Sequence, residues 1–163
     1  MSLLRVQFVH GLESSPQGNK ARLFAQHFDA RTPAMDTRDF EGCVALQARE
    51  LEAFRPQLLI GSSFGGAVVV ALLARGLWRG ETLLLAQASR HYLPQPRLPA
   101  GVPVTLVHGR EDEIVDIADS RALAATGEPG SVELIEVDDD HQLSGMLQSG
   151  SLLELVRRLA SRA

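Results

Sequence analysis

Two periodicities alternate along this chain. Short runs rich in Val, Ile and Leu are each followed by a segment whose apolar residues recur at helical spacing, the pattern of repeated strand–helix units around a parallel sheet. The first strand is predicted at Arg5–Val9. Ser15 then reads as a helix N-cap with Pro16 at the first helical position, and Ala21, Phe24, Ala25 and Phe28 give that helix an apolar stripe. A weak second strand lies over 31–35. Pro33 would remove a ladder bond there, so this strand is expected at a sheet edge. A helix follows over 41–54, then the most strongly patterned stretch of the chain: an apolar strand (57–61), a glycine-rich turn (62–66) and a wholly apolar helix (67–74), with Gly76 closing it. Further strands are predicted over 82–86, 102–107 and Val132–Val137, and a helix over Ile117–Ala125. Pro94, Pro96 and Pro99 mark 87–101 as a loop. Leu152, Leu153, Leu155, Val156 and Leu159 mark an amphipathic C-terminal helix.

Composition narrows the class. A length of 163 residues fits one domain (1–163), and 45% hydrophobic with 22% charged residues is ordinary for a water-soluble fold. The net charge of -4, with no basic cluster, argues against a nucleic-acid partner. The apolar run 67–74 falls far short of the ~20 residues that span a bilayer, and residues 1–6 lack the layout of a signal peptide. The lone cysteine, Cys43, permits no internal disulfide and is expected to be packing. Together these predict a cytoplasmic protein without a membrane partner.

The chemistry concentrates at strand ends. Gly61-Ser62-Ser63-Phe64-Gly65 has the G-x-S-x-G form, and it lies between an apolar strand and a helix, as a nucleophile elbow requires. Such a turn tolerates only small residues two places either side of the serine, and Gly61 and Gly65 satisfy that. A serine hydroxyl needs a base, and the base an orienting acid. Asp112 follows one strand and His141 another, so Ser63, Asp112 and His141 reach the carboxyl edge of the sheet in the order Ser, Asp, His. Each alone has a plainer reading: a solvated serine, a turn aspartate, a loop histidine in a solvated acidic run (Asp138, Asp139, Asp140). Their conjunction favours nucleophilic catalysis. Asp116 is the competing acid, but it precedes a helix and suits an N-cap. An acyl-transfer oxyanion needs N–H donors. The backbone N–H groups of Phe64 and of Leu12, in the turn His10-Gly11-Leu12-Glu13, are the expected pair, with His10 and Gly11 shaping that turn. His108 is expected to be structural. No spacing suits a metal and no glycine-rich motif suits a nucleotide, so neither metal nor cofactor is expected.

With the His10-Gly11 turn, the Ser63 elbow, the His108-Gly109-x-x-Asp112 segment and the late His141 in place, the chain resembles the α/β-hydrolase superfamily over nearly its whole length. Phe8-Val9-His10-Gly11-Leu12-Glu13-Ser14-Ser15-Pro16 is similar to the small, cap-less bacterial YqiA-type esterases. The resemblance implies a three-layer αβα sandwich around six parallel strands in the order 2-1-3-4-5-6, without the two leading antiparallel strands and without a cap. It implies an open, shallow site for small-molecule esters or thioesters of short acyl chains. Asp36, Thr37, Arg90, His91 and Tyr92 are candidates for its mouth, with no pattern in the sequence to orient them. A thioesterase, a peptidase-like hydrolase, a perhydrolase, or a non-catalytic binding protein of the same fold remain alternatives at this point.

Overall fold

A computed structural model describes residues 2–12 and 14–163. Glu13, in the predicted oxyanion turn, lies outside the described residues. The elements are β1 (Arg5–Val9), α1 (Asn19–His27), β2 (Asp29–Arg31), α2 (Phe40–Phe54), β3 (Leu58–Ser62), α3 (Phe64–Ala74), β4 (Thr82–Leu85), β5 (Val104–Gly109), α4 (Ile117–Ala125), β6 (Val132–Val137), α5 (Ser144–Ser149) and α6 (Ser151–Ser161), with a 3-10 turn at Ser89–His91. The strands form one parallel sheet in the order β2-β1-β3-β4-β5-β6.

Side chains alternate between two cores. Val6 and Phe8 of β1, Leu58 and Ile60 of β3, and Leu83 and Leu85 of β4 face α1 and α6. Val9, Leu59 and Leu84, one position out of phase, face α2, α3 and α4. Strands covered on both faces read as continuous apolar runs, which is why β3 and β4 stood out in the sequence. Phe64 to Leu73 of α3 are all buried, which accounts for a helix apolar on every side. Its end is closed as expected: Gly76, at φ 70, donates to Leu73 O while Leu77 donates to Leu72 O.

Several boundaries differ. The first helix begins at Asn19, not Pro16. Ser15 instead closes a turn, its Oγ accepting from Gln17 N–H and its carbonyl from Gly18 N–H, and Gly18 takes the cap position. Within α1, Lys20 is buried and Ala25 exposed, so the inward face is Lys20, Ala21 and Phe24 with Phe28 beyond the helix end. β2 is an edge strand, but it ends at Arg31, before Pro33. α5 went unpredicted because it is one short polar turn-and-a-half with no buried residue.

Candidate active site

β1 and β3 are neighbours, yet the chain leaves them toward opposite sides of the sheet, so a crevice opens at their carboxyl ends. Ser63 stands there, between β3 and α3, at φ 55 and ψ -116. A non-glycine residue in that region is strained by about 1–3 kcal/mol. The strain is held by the end of β4: Ser63 N–H donates to Leu85 O, and Ser63 O accepts from Ala88 N–H. The flanking glycines are obligatory for separate reasons. A Cβ on Gly61 would lie 2.6 Å from Gly65 O and 2.7 Å from Val69 Cγ2, and one on Gly65 would overlap the Val9 carbonyl of β1.

Ser63 Oγ–H donates to His141 Nε2 at 3.1 Å, and His141 Nδ1–H donates to Asp112 Oδ2 at 2.7 Å. The Asp112 side chain is fully buried and that of His141 nearly so, at 14% exposure. Asp112 also serves its own loop. Its Oδ1 accepts from both Ile114 and Val115 N–H at 2.8 Å, so one oxygen closes the loop while the other meets the imidazole. Asp116 caps α4 through Ala118 N–H.

The turn after β1 abuts Ser63. A Cβ on Gly11 would sit 3.4 Å from Ser63 Cβ, an ordinary contact, so a glycine there keeps the crevice clear without being dictated by the backbone. His10 is buried, and its Nδ1–H donates to Gly11 O at 2.8 Å. Among the described residues, neither the Leu12 nor the Phe64 N–H has a protein acceptor.

The acidic run before His141 is a scaffold, where solvated surface was expected. Asp139 is buried and accepts from Gly145 and Met146 N–H, at the start of α5. Asp140 accepts from Ser144 N–H and Oγ–H, which holds its carboxyl below the usual range. Gly109 lets β5 pass close to this run, for a Cβ there would overlap the Asp139 carbonyl. On the other side, Lys20 Nζ donates to Gln142 O at 2.8 Å, tying α1 to the residue after His141. Burial pushes the Lys20 ammonium pKa down, partly offset by Asp140 and Asp139. Neither Lys20 nor Asp139 carries a recognisable sequence signal. The nearest hint is the Asp140-x-x-x-Ser144 spacing, which could have marked α5.

A cavity of about 1110 Å³ lies over Ser63 and His141. Phe8, Leu12, Leu23, Ile114 and Leu147 supply apolar wall, and Lys20, Gln142 and Ser144 polar wall. Its lining includes the buried Phe8. Asp36, Thr37, Arg90, His91 and Tyr92 do not line it. Tyr92 instead stacks on Phe40 at 5.4 Å and meets Phe64 edge-on at 5.1 Å.

No family model and no curated protein matches the chain. Solved structures do. A Xanthomonas campestris pv. campestris protein described under the alpha/beta hydrolase superfamily is 25% identical, with 99% of this chain and 97% of that one covered and a TM-score of 0.75. A monoacylglycerol lipase from Paleococcus ferrophilus is 13% identical over 100% of this chain and 97% of that one, with a TM-score of 0.77. An esterase domain from a Rhodothermus marinus protein is 20% identical over 96% and 87%, with a TM-score of 0.67.

Proposed function

Starting from the α/β-hydrolase fold that this chain has, we propose that it is a serine hydrolase of short-chain carboxylic esters or thioesters, with Ser63 as nucleophile, His141 as general base and Asp112 as orienting acid. One observation carries the reading: the unbroken chain Ser63 Oγ–His141–Asp112, at 3.1 and 2.7 Å, on a serine held at φ 55 above the start of α3. A hydrogen bond to a base oriented by a buried carboxylate is what a serine nucleophile requires.

In this reading Ser63 Oγ attacks the acyl carbon as His141 Nε2 takes its proton. The C–O or C–S bond to the leaving group breaks while His141 returns that proton to the departing oxygen or sulfur. Water, deprotonated by His141, then releases the acid and restores Ser63. The Leu12 and Phe64 N–H groups, without acceptors among the described residues, are the oxyanion donors. Gly61, Gly65, His10 and Gly11 support these turns. Leu12 and Ile114, 52% and 69% exposed, give the apolar rim a place for a short acyl chain. The single buried thiol, Cys43, fits a cytoplasmic setting. The test is hydrolysis of p-nitrophenyl esters and acyl thioesters of graded chain length, with Ser63→Ala alongside. Hydrolysis that Ser63→Ala abolishes supports the reading, and no hydrolysis of any of them overturns it.

A further inference from the structure

Behind Asp112 lies a second histidine that the reaction does not use. His108, in β5, has a fully buried side chain, as has Asp112 four residues on. Both ring nitrogens of His108 have partners. A carbonyl only accepts, so the 2.8 Å contact with Val115 O puts a ring hydrogen on Nε2. Nδ1 meets Ser120 Oγ at 2.7 Å. Ser120 Oγ in turn accepts from Gln87 Nε2 at 3.1 Å, and Gln87 Oε1 accepts from Ser89 N–H. The imidazole is thus tied on its far side to a chain running from the end of β4 through α4.

Two features point this ring at Asp112. Val115 is gripped from both sides, its N–H donating to Asp112 Oδ1 and its carbonyl accepting from His108. The His108 ring nitrogen also lies 3.2 Å from Asp112 Oδ2, the oxygen that faces His141. Its N–H is directed at Val115 O, so the ring meets Oδ2 with the positive end of a dipole while leaving that oxygen free to accept from His141. We propose that His108 is a positioning residue that acts through Asp112, fixing the 112–115 loop and with it the carboxylate that orients His141. The inference rests on the serine-hydrolase reading above.

The test compares purified His108→Phe, His108→Gln and Ser63→Ala with the wild type on one p-nitrophenyl ester, each checked for folding by near-UV circular dichroism. His108→Phe removes the donor to Val115, and kcat should fall ~10–100-fold with KM nearly unchanged, the scale of losing a partner behind a working side chain. His108→Gln keeps an N–H at similar reach and should recover most of that loss, a rescue that simple packing would not give. A folded His108→Phe with wild-type kcat, or a His108→Gln as damaged as His108→Phe, overturns the inference. Should His108→Phe fail to fold, Ser120→Ala decides: it removes the partner that holds His108 Nδ1 with little change of volume, and an unchanged kcat there overturns the inference. Activity surviving in Ser63→Ala would overturn the underlying reading instead.

Discussion

Asp112 divides its two oxygens between two tasks, and substitutions can separate them. Asp112→Asn keeps the Oδ1 acceptor for Ile114 and Val115. In place of Oδ2 it sets an amide N–H₂ against His141 Nδ1, which forces the proton to Nε2 and leaves Ser63 with a donor where it needs an acceptor. The expected result is a melting temperature close to wild type and a turnover roughly ten-thousandfold lower. Asp116→Asn, which preserves the N-cap of α4, should keep both stability and turnover. Steady-state kinetics and thermal melts on the two proteins check this, and a dead Asp116→Asn beside a healthy Asp112→Asn would show the acid to be misassigned. Ser63, Asp112 and His141 could be read from sequence because each follows an apolar strand, so fold and chemistry share one signal. Lys20 and Asp139 could not. Their roles come from contacts with Gln142 O and with Gly145 and Met146 N–H, made across loops that leave no periodic trace.

At the level of elements, His141 is only as well placed as the loop and short helix that follow β6. Asp139→Ala strips the acceptors from Gly145 and Met146 N–H. Leaving such donors unsatisfied costs about 1–3 kcal/mol, and His141 should shift with the loop, so both the melting temperature and kcat should fall. Asp140 adds a pH signature. Ser144 holds its carboxyl below the usual range in the folded state, so its contribution to stability is present above the ordinary aspartate value of about 3.9 and is lost as pH falls through the lower folded value. Asp140→Asn should therefore melt below wild type at pH 7, and the gap should narrow as pH falls below the ordinary aspartate range; a gap that widens in acid would contradict this. The elements with long apolar periods were legible: β1, α4 and β6 fall where the pattern put them. α5 was not, since it is short, has no fully buried residue, and takes hydrogen bonds to two aspartates beside the partial packing of Met146 and Leu147. The start of α1 moved because a serine that looked like a cap serves a preceding turn.

For the molecule as a whole, the sheet order brings separate strand ends to one crevice. β1 delivers Gly11 and Leu12, β3 delivers Ser63, and β5 and β6 deliver Asp112 and His141. The strand order followed from the family resemblance, and the parallel sheet from the alternation of patterns. The lining of the site did not follow, because the Phe40–Phe64–Tyr92 packing and the α1 wall are long-range arrangements of residues ordinary in themselves. The central claim is that Ser63 is an activated nucleophile, and a fluorophosphonate reads that property directly. Intact-mass and peptide mass spectrometry after exposure of the folded protein should find a single phosphonyl adduct on Ser63, absent from Ser63→Ala and greatly slowed in His141→Gln. A wild-type protein that stays unlabelled while folded, or an adduct that persists in Ser63→Ala, would contradict the account.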